Sequence, residues 1–115
     1  MRLTEHFNLE EFERSATAVS CGIDNHVPQE LIPNIRNLCQ QVLEPLRQHT
    51  GTPIRISSGY RCPKLNAAVG GAKRSYHLYG RAADIPFHRD WYNYIRNHLP
   101  HTELINEGKW IHVAL

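Results

Sequence analysis

The feature that most constrains this chain is one apolar stripe: Leu31, Ile35, Leu38, Val42 and Leu46, at steps of four, three, four and four. That spacing keeps all five side chains on one face of an α-helix, and it predicts one main helix within residues 28–48. A stripe this long must be buried against other elements. Directly downstream, Gly51 and Pro53 stop the helix, and Ile54-Arg55-Ile56-Ser57 alternates as a half-buried strand does. Pro28 suits a first helical turn. Pro33 and Pro45 predict a late start or a kink at one end and a break near the other.

The other segments follow from local signals. Asn8 with Glu11 three residues on forms an Asn-led capping box, and Phe7 and Phe12 stand where a hydrophobic staple places them. Residues 15–27 read as a loop, because Thr17, Ser20, Gly22, Asp24 and Asn25 supply turn chemistry. A short helix is expected over Pro63 to Val69, ended by Gly70-Gly71, then a buried strand from Ala82 to Pro86 entered from a turn at Gly80. Asp90 to His98 reads as a helix closed by Pro100. The last stretch reads as a hairpin, Glu103 to Asn106 and Lys109 to Ala114. A two-residue turn at Glu107-Gly108 sets Glu103 opposite His112 and leaves Glu107 at the tip; a longer or bulged loop swings Glu107 inward instead. Helices first, then strands with short helices between, make this an α+β domain. At 115 residues the chain has room for one compact domain, 1–115.

Composition excludes several function classes. Thirteen Lys and Arg against eleven Asp and Glu give a net charge of +2, too weak a balance for a nucleic-acid partner, and no basic stripe is interleaved with aromatics. No apolar run approaches the roughly 18 residues that span a membrane, so no membrane partner is expected, and a monomer is. The start, Met1-Arg2-Leu3-Thr4-Glu5-His6-Phe7, shows no Sec signal, which predicts cytoplasmic accumulation unless the protein is carried or released. Cys21, Cys39 and Cys62 are odd in number and lack a C-x-x-C pair, so they read as reduced and mostly buried.

Histidine is the compositional outlier, with eight copies. Imidazole is the commonest side-chain metal ligand, and a hydrolytic zinc site takes three protein ligands from His, Asp or Glu while leaving a fourth position open. His77 and Asp84 stand seven positions apart (84 − 77) around Gly80, whose turn can return a loop histidine to the start of a strand. His112 lies on the last expected strand, which can pair in the same sheet as Asp84. Each residue also has a structural reading alone: a solvated loop histidine, a strand-end cap, a satisfied core histidine. Arg61 offers a planar fork for a carboxylate or an oxyanion, or it simply ends a turn. Ser75 can donate a hydrogen bond to a substrate or cap the local turn. For a general base, Glu107 and Glu103 both precede His112 at hairpin positions.

Taken together, Ser58-Gly59-Tyr60-Arg61, Ser75-Tyr76-His77 with Gly80-Arg81-Ala82-Ala83-Asp84, and Trp110-Ile111-His112-Val113 resemble the zinc D-Ala-D-Ala carboxypeptidases, in particular the small single-domain branch of these peptidoglycan peptidases. The likeness extends to Phe7-Asn8-Leu9-Glu10-Glu11-Phe12 and to the main helix. It implies a hedgehog/DD-peptidase fold, with helices packed on a small, mostly antiparallel sheet. It implies Zn²⁺ held by His77, Asp84 and His112, and Arg61 contacting the substrate and polarising its scissile carbonyl. It makes Glu107 the nearest match to the family's acid/base residue, while Lys109 occupies a position where other branches place glutamate. Tyr76 stands where a polar residue such as glutamine is expected. Peptidoglycan stem peptides are the implied substrate. Two other readings use the same residues: a cell-wall-peptide binding module that holds zinc without turnover, and a structural phage component.

Overall fold

In the computed structural model, which describes residues 1–115, the chain opens with two short antiparallel strands, β1 (Arg2–Thr4) and β2 (Phe7–Asn8). Neither is long enough to show an alternating pattern in the sequence. Helix α1 (Leu9–Glu13) begins at Asn8, whose backbone N–H donates to the Glu11 carboxylate at 2.7 Å, and Phe7 and Phe12 are both buried. The capping box thus forms as expected. The expected loop at 15–27 instead contains a helix, α2 (Ala16–Cys21). Ser15 caps it by accepting the Ala18 N–H at 3.1 Å, and Gly22 ends it with φ 65°. Only Ala18 of this helix is buried, so it carries no stripe to betray it. The cap and the closing glycine were the available signals.

The apolar stripe lies on a continuous helical run over residues 29–50: a 3₁₀ turn (Gln29–Leu31), α3 (Ile32–Leu38), a π turn (Cys39–Leu43) and α4 (Glu44–Thr50). Ile35, Leu38, Val42 and Leu46 are fully buried, each contributing roughly 1.5–3 kcal/mol of transfer free energy. The break expected near Pro45 does not occur. Proline has no N–H, and its ring clashes with the carbonyl four residues back in a regular α-helix. Here the preceding turn is widened, the Glu44 N–H bonding back to the Cys39 carbonyl, and Pro45 falls in the first turn of α4. Pro33 is likewise accommodated in the first turn of α3.

Residues 54–57 keep the expected alternation, with Ile54 and Ile56 buried, but they do not form a strand. They approach the sheet through one bridge, Ser58 to Asp84, with Ser57 N–H to Asp84 O at 2.9 Å and Asp84 N–H to Ser58 O at 2.8 Å. Helix α5 (Pro63–Ala68) follows, and a 3₁₀ turn (Tyr76–Tyr79) leads into β3 (Ala82–Pro86). Helix α6 (Arg89–His98) and the hairpin β4 (Glu103–Asn106) and β5 (Trp110–Ala114) complete the chain. The sheet is antiparallel in the order β3-β5-β4.

The hairpin register differs from expectation. Glu107 N–H bonds the Trp110 carbonyl at 2.9 Å, so Gly108 (φ 90°) and Lys109 form the turn. Glu103 then lies opposite Ala114, and Ile105 opposite His112. The pairing moves by two residues, which preserves the faces. Ala83, Ile85, Ile111 and Val113 point into the core against the helices, while Asp84, Glu103, Ile105 and His112 occupy the other face. The molecule is therefore α+β, with helices packed on a small antiparallel sheet. No helix is long and apolar enough to cross a membrane. All three cysteines are free; Cys39 is buried and Cys62 half-buried as expected, but Cys21 is exposed.

Candidate metal centre

Register brings the first two groups together: Asp84 on β3 lies directly opposite His112 on β5. His77 arrives from the 3₁₀ turn before β3. Ser75 Oγ accepts the His77 N–H at 3.2 Å and so caps that turn, and Gly80 closes it at φ 68°. A side chain at Gly80 would also meet Ile35 Cγ1 at 2.8 Å, so only glycine lets the turn settle on the main helix. Asp84 Oδ1 then lies 3.2 Å from His77 Nε2 and 3.1 Å from His112 Nδ1. One donor atom from each residue falls within 4.8 Å of the other two. Two imidazole nitrogens and a carboxylate oxygen at that separation suit a small divalent ion such as zinc. The side chains are 3%, 9% and 12% exposed for His77, Asp84 and His112, so water alone does not satisfy them.

The outer ring nitrogens are also engaged. His77 Nδ1 lies 2.7 Å from the Gly59 carbonyl, which can only accept; Nδ1 therefore donates there, and Nε2 is the nitrogen turned toward Asp84. Gly59 reaches this place because it packs against α1, where a Cβ would stand 2.7 Å from Phe12 Cα. His112 Nε2 lies 2.8 Å from Glu103 Oε1. Burial works against ionisation of Asp84, but hydrogen bonds from His112 and His77 outweigh it and hold the carboxyl at about 2. The bond to Asp84, then that to Glu103, raises His112 above its ordinary value against the effect of burial.

Arg61 is held as a fixed fork beside this cluster. Its Nε donates to Ser58 Oγ and one terminal nitrogen to Asn66 Oδ1, both at 3.2 Å. The other terminal nitrogen is 3.7 Å from Asp84 Oδ2. Burial lowers the Arg61 pKa while Asp84 opposes that change. The supporting loops are tied by buried side-chain amides. Asn25 Nδ2 donates to the Tyr60 and Glu13 carbonyls and its oxygen accepts the Cys62 N–H, while Asn66 Nδ2 donates to the Ala72 carbonyl.

A cavity of about 340 Å³ opens over the cluster. Arg61, Ser75, Glu103 and Glu107 all line it, so Glu107 faces inward rather than standing at the hairpin tip. Ala72, Arg74, Tyr76, Ile105 and Trp110 complete its walls. Ile105 and Trp110 are 42% and 41% exposed and give the cavity an apolar flank. Sequence reasoning did not assign a site role to Asn25, Asn66, Arg74, Ile105 or Trp110. Only the last two carried a signal, since strand alternation places them on the face of His112.

Two comparisons bear on this arrangement. The family model described as Peptidase M15 matches residues 5–114. The zinc D-Ala-D-Ala carboxypeptidase of Streptomyces albus G is 43% identical over 44 residues, which is 37% of this chain and 17% of that protein's length.

Proposed function

We propose, since the chain belongs to the peptidase M15 family, that it hydrolyses peptide bonds of peptidoglycan stem peptides with a zinc ion held by His77, Asp84 and His112. The observation that carries this reading is the convergence of those three donor groups at the floor of an open cavity, beside a fixed guanidinium and two carboxylates. The hedgehog/DD-peptidase fold belongs to the same reading, supported by helices on a small antiparallel sheet that carries two of the three donors. One core cluster running from Leu3 to Val113 supports a single domain.

The ion, when bound, supplies Lewis acidity and brings the pKa of water toward neutrality. The residues of this chain supply the rest. Glu107 takes the proton of the attacking water and returns it to the departing amine. Arg61, held in place by Ser58 and Asn66, faces the developing negative charge on the carbonyl oxygen without reorganising. Ser75 already accepts from the His77 backbone, and its hydroxyl hydrogen remains for the substrate. Arg61 and Arg74 together suit a terminal carboxylate, which favours removal of D-Ala over cleavage within a cross-link.

The test is incubation of zinc-loaded protein with purified peptidoglycan and with a peptide ending in D-Ala-D-Ala, alongside an EDTA-treated control. Metal-dependent release of D-Ala supports carboxypeptidase action, and release of uncapped stem peptides supports endopeptidase action. Zinc uptake with no product from either substrate overturns turnover and leaves a binding module.

A further inference from the structure

The two glutamates that line the cavity are not equivalent, and one of them is already engaged. Glu103 Oε1 lies 2.8 Å from His112 Nε2, the ring nitrogen that faces away from Asp84. Cross-strand placement explains the reach: Glu103 stands opposite Ala114, one same-face position along β5 from His112, and alanine leaves room for the diagonal contact. Glu107 has no hydrogen bond to either histidine; only its backbone N–H is engaged, by Trp110. We infer that Glu103 is a positioning residue: it fixes the ring of His112 by accepting its Nε2–H, keeps Nδ1 turned into the cluster beside Asp84, and leaves Glu107 as the free carboxylate for proton transfer.

The geometry at His77 supports this assignment from the other side of the cluster. Both imidazoles turn one nitrogen toward Asp84 Oδ1 and give the other to an oxygen acceptor, the Gly59 carbonyl for His77 and Glu103 for His112. An ionised carboxylate only accepts, so the hydrogen between Glu103 and His112 belongs to the ring. A ring free to rotate would present Nδ1 and Nε2 in turn. A ring held at Nε2 presents one nitrogen at one angle, and such outer contacts are worth roughly 10- to 100-fold in metal affinity.

The inference builds on the proposed zinc site, and two measurements keep the two claims separable. In metal-free protein labelled with ¹⁵N, the His112 ring is expected to show a hydrogen-bonded Nε2–H that is lost in Glu103→Ala and retained in Glu103→Gln, whose amide oxygen still accepts. In competition against a chromophoric chelator, Glu103→Ala is expected to bind zinc roughly 10- to 100-fold more weakly, with Glu103→Gln recovering most of the loss. With zinc saturating, Glu107→Gln is expected to lower kcat far more than Glu103→Gln does. An unchanged ring spectrum and unchanged zinc affinity in Glu103→Ala overturn the positioning role. So does a kcat loss in Glu103→Gln that equals that of Glu107→Gln, which makes Glu103 the base. If the wild-type chain takes up no zinc while the ring signal still depends on Glu103, the metal reading fails and the positioning role stands.

Discussion

The molecule holds two clusters of histidine and carboxylate, and they are built to opposite ends. In one, Asp84 sits between His77 and His112 beneath a cavity. In the other, Glu44 at the start of α4 meets His6 and Glu5 beside the first two strands, again with donor atoms within 4.8 Å of one another. Both central carboxyls are held at about 2 by hydrogen bonds that overcome burial. The contrast lies in what remains unspent. Glu44 accepts the His6 backbone N–H at 2.8 Å, the His6 ring at 2.6 Å and the Gln48 amide at 3.0 Å, so both of its oxygens are consumed in tying β1 and β2 to the main helix. In the Asp84 cluster one nitrogen of each histidine converges on a single oxygen, Oδ1, beneath the cavity, and the outer nitrogens anchor the rings. A low carboxylate pKa is common to a structural tie and a candidate ligand set; the convergence of donor atoms beneath a cavity separates them.

That contrast can be broken most sharply at the ligands. His112→Ala is expected to abolish stoichiometric zinc uptake and to lower hydrolysis by well over the ~100-fold ceiling of an outer-contact loss, while circular dichroism shows the fold retained. The matching change in the other cluster, Glu44→Gln, is expected to leave zinc per chain, by elemental analysis, at the wild-type value. Next comes Glu107→Gln, for which kcat should fall by ~10²- to 10⁴-fold with zinc content intact, as the removal of a general base does. A lowered zinc content in that variant would place Glu107 among the ligands instead.

Stability gives the next largest effect. The Glu44 carboxyl is depressed from 4.5 to about 2 on folding, so its contribution is fully present above about pH 4.5 and is lost as pH falls toward 2. Linkage bounds it at roughly 3 kcal/mol. Urea unfolding of wild type and Glu44→Gln should therefore converge as pH is lowered through that window, and parallel curves would show that Glu44 is not ionised through its contact with His6. Smallest of all is Cys21→Ser, at an exposed position outside both clusters; it should move stability by no more than about 0.5 kcal/mol in the same assay.

The two regions also differed in how far the sequence revealed them. The stripe from Leu31 to Leu46 was legible because burial along a helix repeats, and the α+β order followed from it. The π turn was not, because the chain resolves Pro45 by widening a turn that has no residue signature of its own. Helix α2 was hidden by its exposure, and β1 and β2 by their brevity. At the cavity, His77, Asp84 and His112 could be picked out as residue types at suggestive positions, and the family likeness joined them into one set. What pairing and packing decide stayed hidden: the hairpin slid by two residues, which brought Glu107 inward, and nothing in the sequence announces that Asn25 in a loop or Asn66 in a short helix will fasten the segment carrying Arg61.

The two histidines finally differ in how inheritance can reach them. The acceptor behind His77 is main chain, the carbonyl of a glycine wedged against Phe12, and no codon change at that position swaps a carbonyl for something else. The acceptor behind His112 is a side chain, replaceable in a single step. Selection acting on this pair therefore meets a fixed stop on one side and an adjustable screw, at position 103, on the other.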